Sequence, residues 1–203
     1  MVLFGKAPRP GLVKTRLCPP LTPIEAAALY GAFLRQTVVP HAGATTYLYG
    51  APADALAELQ PYVPAGVLLR PQVGVDLWAR LTACFAELFA AGHDRVLVRG
   101  TDSPDVSRAR LDEALAACRA GRVVLGPDPG GGYYLIALAA PAPGLFDLGP
   151  VASADVLALT CVRARILGLD VVRLAVERDV DTYADLLALW NARGAAPGST
   201  MGT

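Results

Sequence analysis

The sequence predicts an α/β protein built on a mostly parallel sheet covered by helices on both faces. Three observations carry this expectation. Short runs of β-branched and aromatic residues alternate along the whole chain with stretches whose apolar residues recur at helical spacing. Hydrophobic residues make up 54% of the 203 and charged residues 18%, which suits a well-packed core and argues against broad disorder. Helix-capping signals stand at the starts of several of the helical stretches.

Taken in order, VLFG (2–5) reads as a short strand and runs into a basic loop. Thr22-Pro23-Ile24-Glu25 forms a capping box with proline in the first turn, so a helix begins there. TTYLYG (45–50) is a strand, a short helix follows over about 53–60, and VLLR (67–70) is the next strand. The apolar spacing from Asp76 to Ala91 is helical and stops at Gly92. RVLVRG (95–100) is a buried strand, after which Ser107 caps a helix running to about Ala120. RVVLG (122–126) and YYLIAL (133–138) are strands joined by a glycine turn. Ser153 or Asp155 opens a helix to about Leu167, VVRLA (171–175) is the last strand, and Thr182, with Asp185 three residues on, caps the final helix. These elements make one domain over 1–193, and the aperiodic stretch 194–203 is expected to be a mobile tail.

Formal net charge is zero, which argues against a general electrostatic grip on nucleic acid and leaves room for a local basic site. The four cysteines, Cys18, Cys84, Cys118 and Cys161, form no CxxC pair, so zinc and redox motifs are unsupported and reduced thiols in a cytoplasmic protein are expected. Charge at Lys6 precedes any apolar run, so no signal peptide is expected. Residues 129–146 carry no charge but are broken by glycine and proline, so no membrane span is expected either.

The chain has only two lysines, Lys6 and Lys14, and both stand in GKAPRPGLVKTRL (5–17) with Arg9 and Arg16. Glycines such as Gly5 and Gly11 let a backbone approach a ligand closely, and prolines hold the loop's shape before binding. Lysine is a compact point charge that can follow a phosphoryl group, whereas arginine forks onto two oxygens. The loop therefore suits a polyphosphate, although it is not a GxxxxGK[ST] phosphate loop. The same residues also suit a solvated surface loop. In α/β sheets ligands sit beyond the carboxyl ends of strands, which gives weight to the acids found there. Asp102 in GTDSPD (100–105) follows the central strand, and Asp179 and Asp181 in ERDVDTYADL (177–186) follow the last one. Carboxylates from two such loops make a shared Mg²⁺ or Mn²⁺ site plausible, with turn chemistry the competing explanation for Asp102. GPDPGGGYYL (126–135) adds a glycine turn that serves equally as a ligand cradle or a tight strand connection. His41 and His93 fall near helix ends and are assigned no chemistry.

In this order the motifs resemble a bacterial family of GT-A-like transferases, described as glycosyltransferases associated with radical-SAM and selenium-related genes. The family pattern runs FxKxPxPGxVKTRL, QxGxDLGxR, GxDxPxL, GPxxDGGYYLIG and DVDTxxDL. This chain reads FGKAPRPGLVKTRL, QVGVDLWARL, GTDSPDV, GPDPGGGYYLIA and DVDTYADL, a likeness spanning residues 3–190. The resemblance implies a three-layer α/β/α nucleotide-diphospho-sugar transferase fold with a mostly parallel mixed sheet. It also implies that Lys6, Arg9, Gly11, Lys14 and Arg16 meet the nucleotide phosphates, with Gln72, Asp76 and Arg80 near the nucleoside. Asp102 would be the first metal ligand, and Asp181 a second ligand or an acceptor-side carboxylate. Asp128, Gly130, Gly131 and Tyr133 would lie on the acceptor side.

Three positions depart from that pattern. Gly130 replaces the family's acid, with Asp128 two residues earlier as a potential substitute. Trp78 replaces a glycine, and Val151 and Ala152 stand where a Trp-Ser pair is usual. The expected activity is a metal-dependent transferase with a nucleotide-activated donor, a nucleotide sugar first, and a small-molecule acceptor. A nucleotidyltransferase using a nucleoside triphosphate and releasing pyrophosphate is the alternative, and a non-catalytic nucleotide-binding module is a third reading.

Overall fold

The computed structural model describes residues 1–194. The expected tail lies outside these except for Gly194, which closes the last helix. Seven strands form one sheet: β1 (Val2–Lys6), β2 (Thr46–Ala51), β3 (Val67–Pro71), β4 (Val96–Gly100), β5 (Arg122–Pro127), β6 (Tyr133–Leu138) and β7 (Asp170–Arg173). Six α-helices accompany them: α1 (Pro23–Thr37), α2 (Leu56–Leu59), α3 (Leu77–Ala90), α4 (Arg108–Ala117), α5 (Val156–Ile166) and α6 (Tyr183–Gly194).

The sheet order is β3-β2-β1-β4-β6-β5-β7. Four pairings are parallel, and β6 alone runs antiparallel, against both β4 and β5. The glycine turn is thus the hairpin connection between β5 and β6, entered through a register shift at Gly126/Pro127. Strand alternation sends Leu3, Leu48, Leu97 and Leu135 to one face, where they pack with Phe33 and Leu34 of α1 and Leu111 of α4. Val2, Val98, Val123 and Ile136 face the other way, onto Leu81, Phe85 and Leu88 of α3 and Ala164 of α5. The three-layer arrangement expected from the sequence follows from this two-sided burial.

Caps stand as predicted at Thr22, Ser107 and Thr182, whereas Asp155 makes no side-chain bond at the start of α5. Thr22 and Glu25 make the reciprocal capping box of α1, Asp76 accepts from Ala79 N at the start of α3, and Thr182 with Asp185 closes the start of α6. The differences are at ends. The expected helix over 53–60 holds only one four-residue α-turn between two 3₁₀ turns, because Pro52 and Pro61 bracket the segment. The helix after Ser107 stops at Ala117, three residues early, and the last strand is Asp170–Arg173 rather than 171–175. Both histidines are structural: buried His41 sits 3.0 Å from Asp112, and His93 meets the Tyr47 hydroxyl at 3.0 Å.

Candidate active site

The chain leaves β1 toward β2 on one side, while β4 lies on the other. A crevice opens where the carboxyl ends of β1 and β4 meet, as expected at such a switch point. Its first lobe, about 660 Å³, is lined by the basic loop, the ends of both strands, the start of α3 and the 179–181 segment. A second lobe of about 640 Å³ lies over the β5–β6 turn and the start of α6. The lobes share Arg16, Leu77, Tyr133, Asp179 and Asp181, so they meet at the acids.

Lys14 is the one non-glycine residue of the described chain with positive φ, at 49°. That left-handed conformation costs a lysine about 1 kcal/mol, and here it turns the side chain inward. The side chain is only 4% exposed, and its Nζ is ion-paired with Asp102 Oδ1 and lies 3.2 Å from Asp181 Oδ1. The Phe33 ring closes one side at 6.0 Å. Backbone bonding fixes the geometry, since Val180 N donates to Asp102 O at 3.0 Å and carries Asp181 alongside. Sequence reasoning pointed Lys14 at phosphates; the folded loop engages its ammonium with two carboxylates.

The other loop residues divide. Lys6 is exposed on the first lobe and has no carboxylate partner among the described residues. Arg16, 73% exposed, faces Asp181 Oδ2 at 3.8 Å. Arg9 is not brought to the crevice: its guanidinium forks onto Glu58 of α2, at 2.9 and 2.5 Å. Gly11 supplies a turn at φ 78° that opens to solvent and does not line the crevice. Gln72 lines the first lobe, but both its amide bonds are spent on the Gly5 and Tyr49 carbonyls, at 3.0 and 2.8 Å. It ties β1 to β2 and leaves its oxygen to Arg80 at 3.5 Å. Asp76 is the cap of α3, and Arg80 is braced by Gly74 O at 3.0 Å; both line the same lobe.

Two residues not selected from the sequence, Tyr30 and Arg99, hold the acids in place, and Asp179 joins them. Tyr30 of α1 accepts from Lys6 N at 2.9 Å and pairs with the Thr101 hydroxyl at 2.8 Å, joining the ends of β1 and β4. Its helical spacing made it look like core. Arg99, 4% exposed, donates to Ser103 O at 2.6 Å and Gly100 O at 3.2 Å, clamping the turn that carries Asp102. Burial pulls its guanidinium down to about 10, against the raising influence of Asp179. Asp179 accepts from the Ser103 hydroxyl and lines both lobes. Its place two residues before Asp181 had marked both as candidate carboxylates.

Burial, reinforced by Asp102, Asp128 and Asp181, pushes the Asp179 carboxyl up to about 6 from an ordinary 3.8, against the opposing Ser103 bond. The folded state therefore holds this proton more tightly than the unfolded chain, and stability is lost as pH rises through 6. Asp179→Asn is expected to stabilise the metal-free protein by on the order of 2 kcal/mol above pH ~7, with the gain fading below pH ~4. Urea melts across that range check this, and a pH-independent difference would contradict it.

In the second lobe, Asp128 folds back on its own turn: Oδ1 accepts from Gly130 N at 2.6 Å and Gly132 N at 3.2 Å. It still lines the lobe, as do Gly130, Tyr133 and the departures Trp78 and Val151. The Tyr133 hydroxyl is buried, and burial raises its pKa to about 12. Gly131 does not line the lobe. It sits at φ 86°, its carbonyl takes Leu157 N at 2.8 Å, and an added Cβ would lie 2.1 Å from Ala154 O. Gly131→Ala is accordingly expected to cost about 2–4 kcal/mol through strain and displacement of the start of α5. A fall of the unfolding midpoint by less than a few degrees would refute that assignment.

A family model described as "Uncharacterized protein conserved in bacteria (DUF2064)" matches residues 34–152. The chain belongs to this family. The match spans the Asp102 strand and the glycine turn of this DUF2064 protein, while the basic loop and Asp181 lie outside it. A crystal structure from Desulfovibrio desulfuricans G20, of a protein proposed to be a nucleotide-diphospho-sugar transferase, is 31% identical with a TM-score of 0.88. That likeness covers 97% of this chain and 88% of the other, and so includes both outlying motifs. A nucleotidyl transferase from Methanothermobacter thermautotrophicus is 18% identical over 94% of this chain and 95% of its own, with a TM-score of 0.59. A CMP:2-keto-3-deoxy-manno-octonic acid synthetase complexed with CTP is 12% identical over 96% and 98%, with a TM-score of 0.55. These two speak for the fold alone. No curated protein matches the sequence. The DUF2064 protein thus has the nucleotide-diphospho-sugar transferase fold. Among its described residues no helix is long and apolar enough to cross a membrane.

Proposed function

We propose that this DUF2064 protein is a metal-dependent transferase that takes its group from a nucleotide-activated donor, a nucleotide sugar in the first instance. The observation that carries the reading is the Lys14 ammonium seated between Asp102 and Asp181 at the carboxyl ends of β1 and β4, with Lys6, which has no carboxylate partner among the described residues, facing the same lobe. One cation position already lies between two carboxylates, each over two-fifths exposed. Mg²⁺ or Mn²⁺ fits that donor set. Among the described residues no three His, Cys, Asp or Glu side chains make a ready cage, so such an ion would be held by Asp102 and Asp181 and completed by substrate oxygens and water, with the Lys14 ammonium released to the donor's phosphates. Bound there, it would neutralise charge developing on the leaving diphosphate.

The chain's own groups supply the rest. Lys6 and Arg16 hold the donor's phosphates at the crevice mouth, and Arg80 lies toward the nucleoside. Asp179, at the junction of the lobes, is the carboxylate in position to take the acceptor's proton. In glycosyl transfer the acceptor oxygen bonds to the anomeric carbon while the bond from that carbon to the diphosphate breaks, and the nucleoside diphosphate departs with the electron pair. Positioning and charge neutralisation carry most of such catalysis.

Nucleotidyl transfer is the second reading, favoured by the fold shared with the Methanothermobacter nucleotidyl transferase and the CTP-bound synthetase. The released product separates the two. Nucleoside diphosphate formed in step with turnover supports glycosyl transfer, and pyrophosphate supports nucleotidyl transfer. Metal-independent turnover would defeat the metal assignment in either case.

A further inference from the structure

The second lobe has its own chemistry. Leu77, Trp78, Pro129, Val151 and Val156 give it apolar walls, with the Trp78 indole the largest flat surface among them. Its charged groups are four aspartates and two arginines, a formal excess of two negative charges. Neither arginine is left over for an acceptor: Arg178 Nη1 lies 3.2 Å from Asp185 Oδ1, and Arg16, 3.8 Å from Asp181 Oδ2, is the residue assigned above to the donor's phosphates. Asp128 and Asp179 form no ion pair among the described residues, the first being held by turn amides and the second by the Ser103 hydroxyl, with buried Arg99 acting on Asp179 at longer range. A phosphate or carboxylate entering this lobe would shed water, find no free cation and face two carboxylates. A hydroxyl group meets no such penalty and can donate to either acid.

We infer that the second lobe takes an uncharged, hydroxyl-bearing acceptor with a flat apolar ring, and excludes phosphate and carboxylate acceptors. The ring lies on Trp78, and the hydroxyl reaches Asp179 and Asp181, where the two lobes join. The inference rests on the transferase reading and sharpens it, because a nucleotidyl transfer to a phosphate or carboxylate acceptor would need an anion in this lobe.

The chain has two tryptophans, and the other, Trp190 on α6, is 72% exposed. Trp190→Phe therefore leaves Trp78 as a single indole N–H signal in ¹⁵N NMR. Titration at near-neutral pH with 4-hydroxybenzyl alcohol is expected to move that signal saturably. Its anionic counterpart 4-hydroxybenzoate should bind roughly tenfold more weakly or not at all. Adding Asp179→Asn should narrow the gap. Equal or tighter binding of the benzoate, or an alcohol response that never saturates, overturns the inference. Unfolding midpoints of the same protein with a nucleoside triphosphate or nucleotide sugar keep the two claims apart. Nucleotide binding without the alcohol preference defeats this inference alone. The alcohol preference in a protein that binds no nucleotide upholds the lobe's selectivity and defeats the donor reading.

Discussion

Asp102→Asn is expected to reduce turnover by about 10³-fold and to abolish the response of nucleotide binding to Mn²⁺. The side chain ends the central strand β4, pairs with Lys14, and is held by a turn that Arg99 clamps from below. Asparagine keeps the shape and the turn chemistry but removes the charge, so the fold should survive. Loss of function with an unchanged unfolding midpoint would mark a ligand role. Full activity in the variant would exclude Asp102 from the metal site.

Lys14→Ala should act in two separable ways. In chelator it removes the ammonium that neutralises Asp102 and Asp181, next to Asp179, and about 2 kcal/mol of stability should be lost. Divalent cation alone should restore much of that loss, because it can take the vacated position between the acids. With metal present, nucleoside triphosphate affinity should fall about 10- to 100-fold. Lys14→Gly sharpens the test. It removes the same charge but relieves the left-handed strain at φ 49°, so it should be about 1 kcal/mol more stable than the alanine variant. Unchanged nucleotide affinity in both variants would count directly against the loop's role.

The layers and the order of elements were legible in the sequence because period and capping agree at each helix. Thr22 with Glu25, and Thr182 with Asp185, are local devices whose partners sit three residues apart. The positions of the chemistry were legible for a related reason: strand ends in an α/β sheet collect in one place. Orientation was not. Whether Lys14 faces solvent or Asp102 depends on one left-handed backbone conformation and on contacts across 88 and 167 residues. Arg9 belonged to the same dense run of charge, yet Glu58 on a distant turn captures it. Gly131 stood in a turn that suited a ligand cradle and a tight strand connection equally, and only the carbonyl of Ala154 shows that it is needed for packing. Arg99 and Tyr30 were hidden because their neighbours obey the core periodicity of strand and helix.

The most direct test of the account is the thermal unfolding midpoint of the protein with nucleoside triphosphates and nucleotide sugars, each with Mn²⁺ and with chelator. A ligand that binds only the folded state raises the midpoint by mass action. A rise is expected with at least one nucleotide, requiring Mn²⁺ and disappearing in Asp102→Asn. No rise with any of them, or a rise indifferent to metal and to that substitution, would contradict the account.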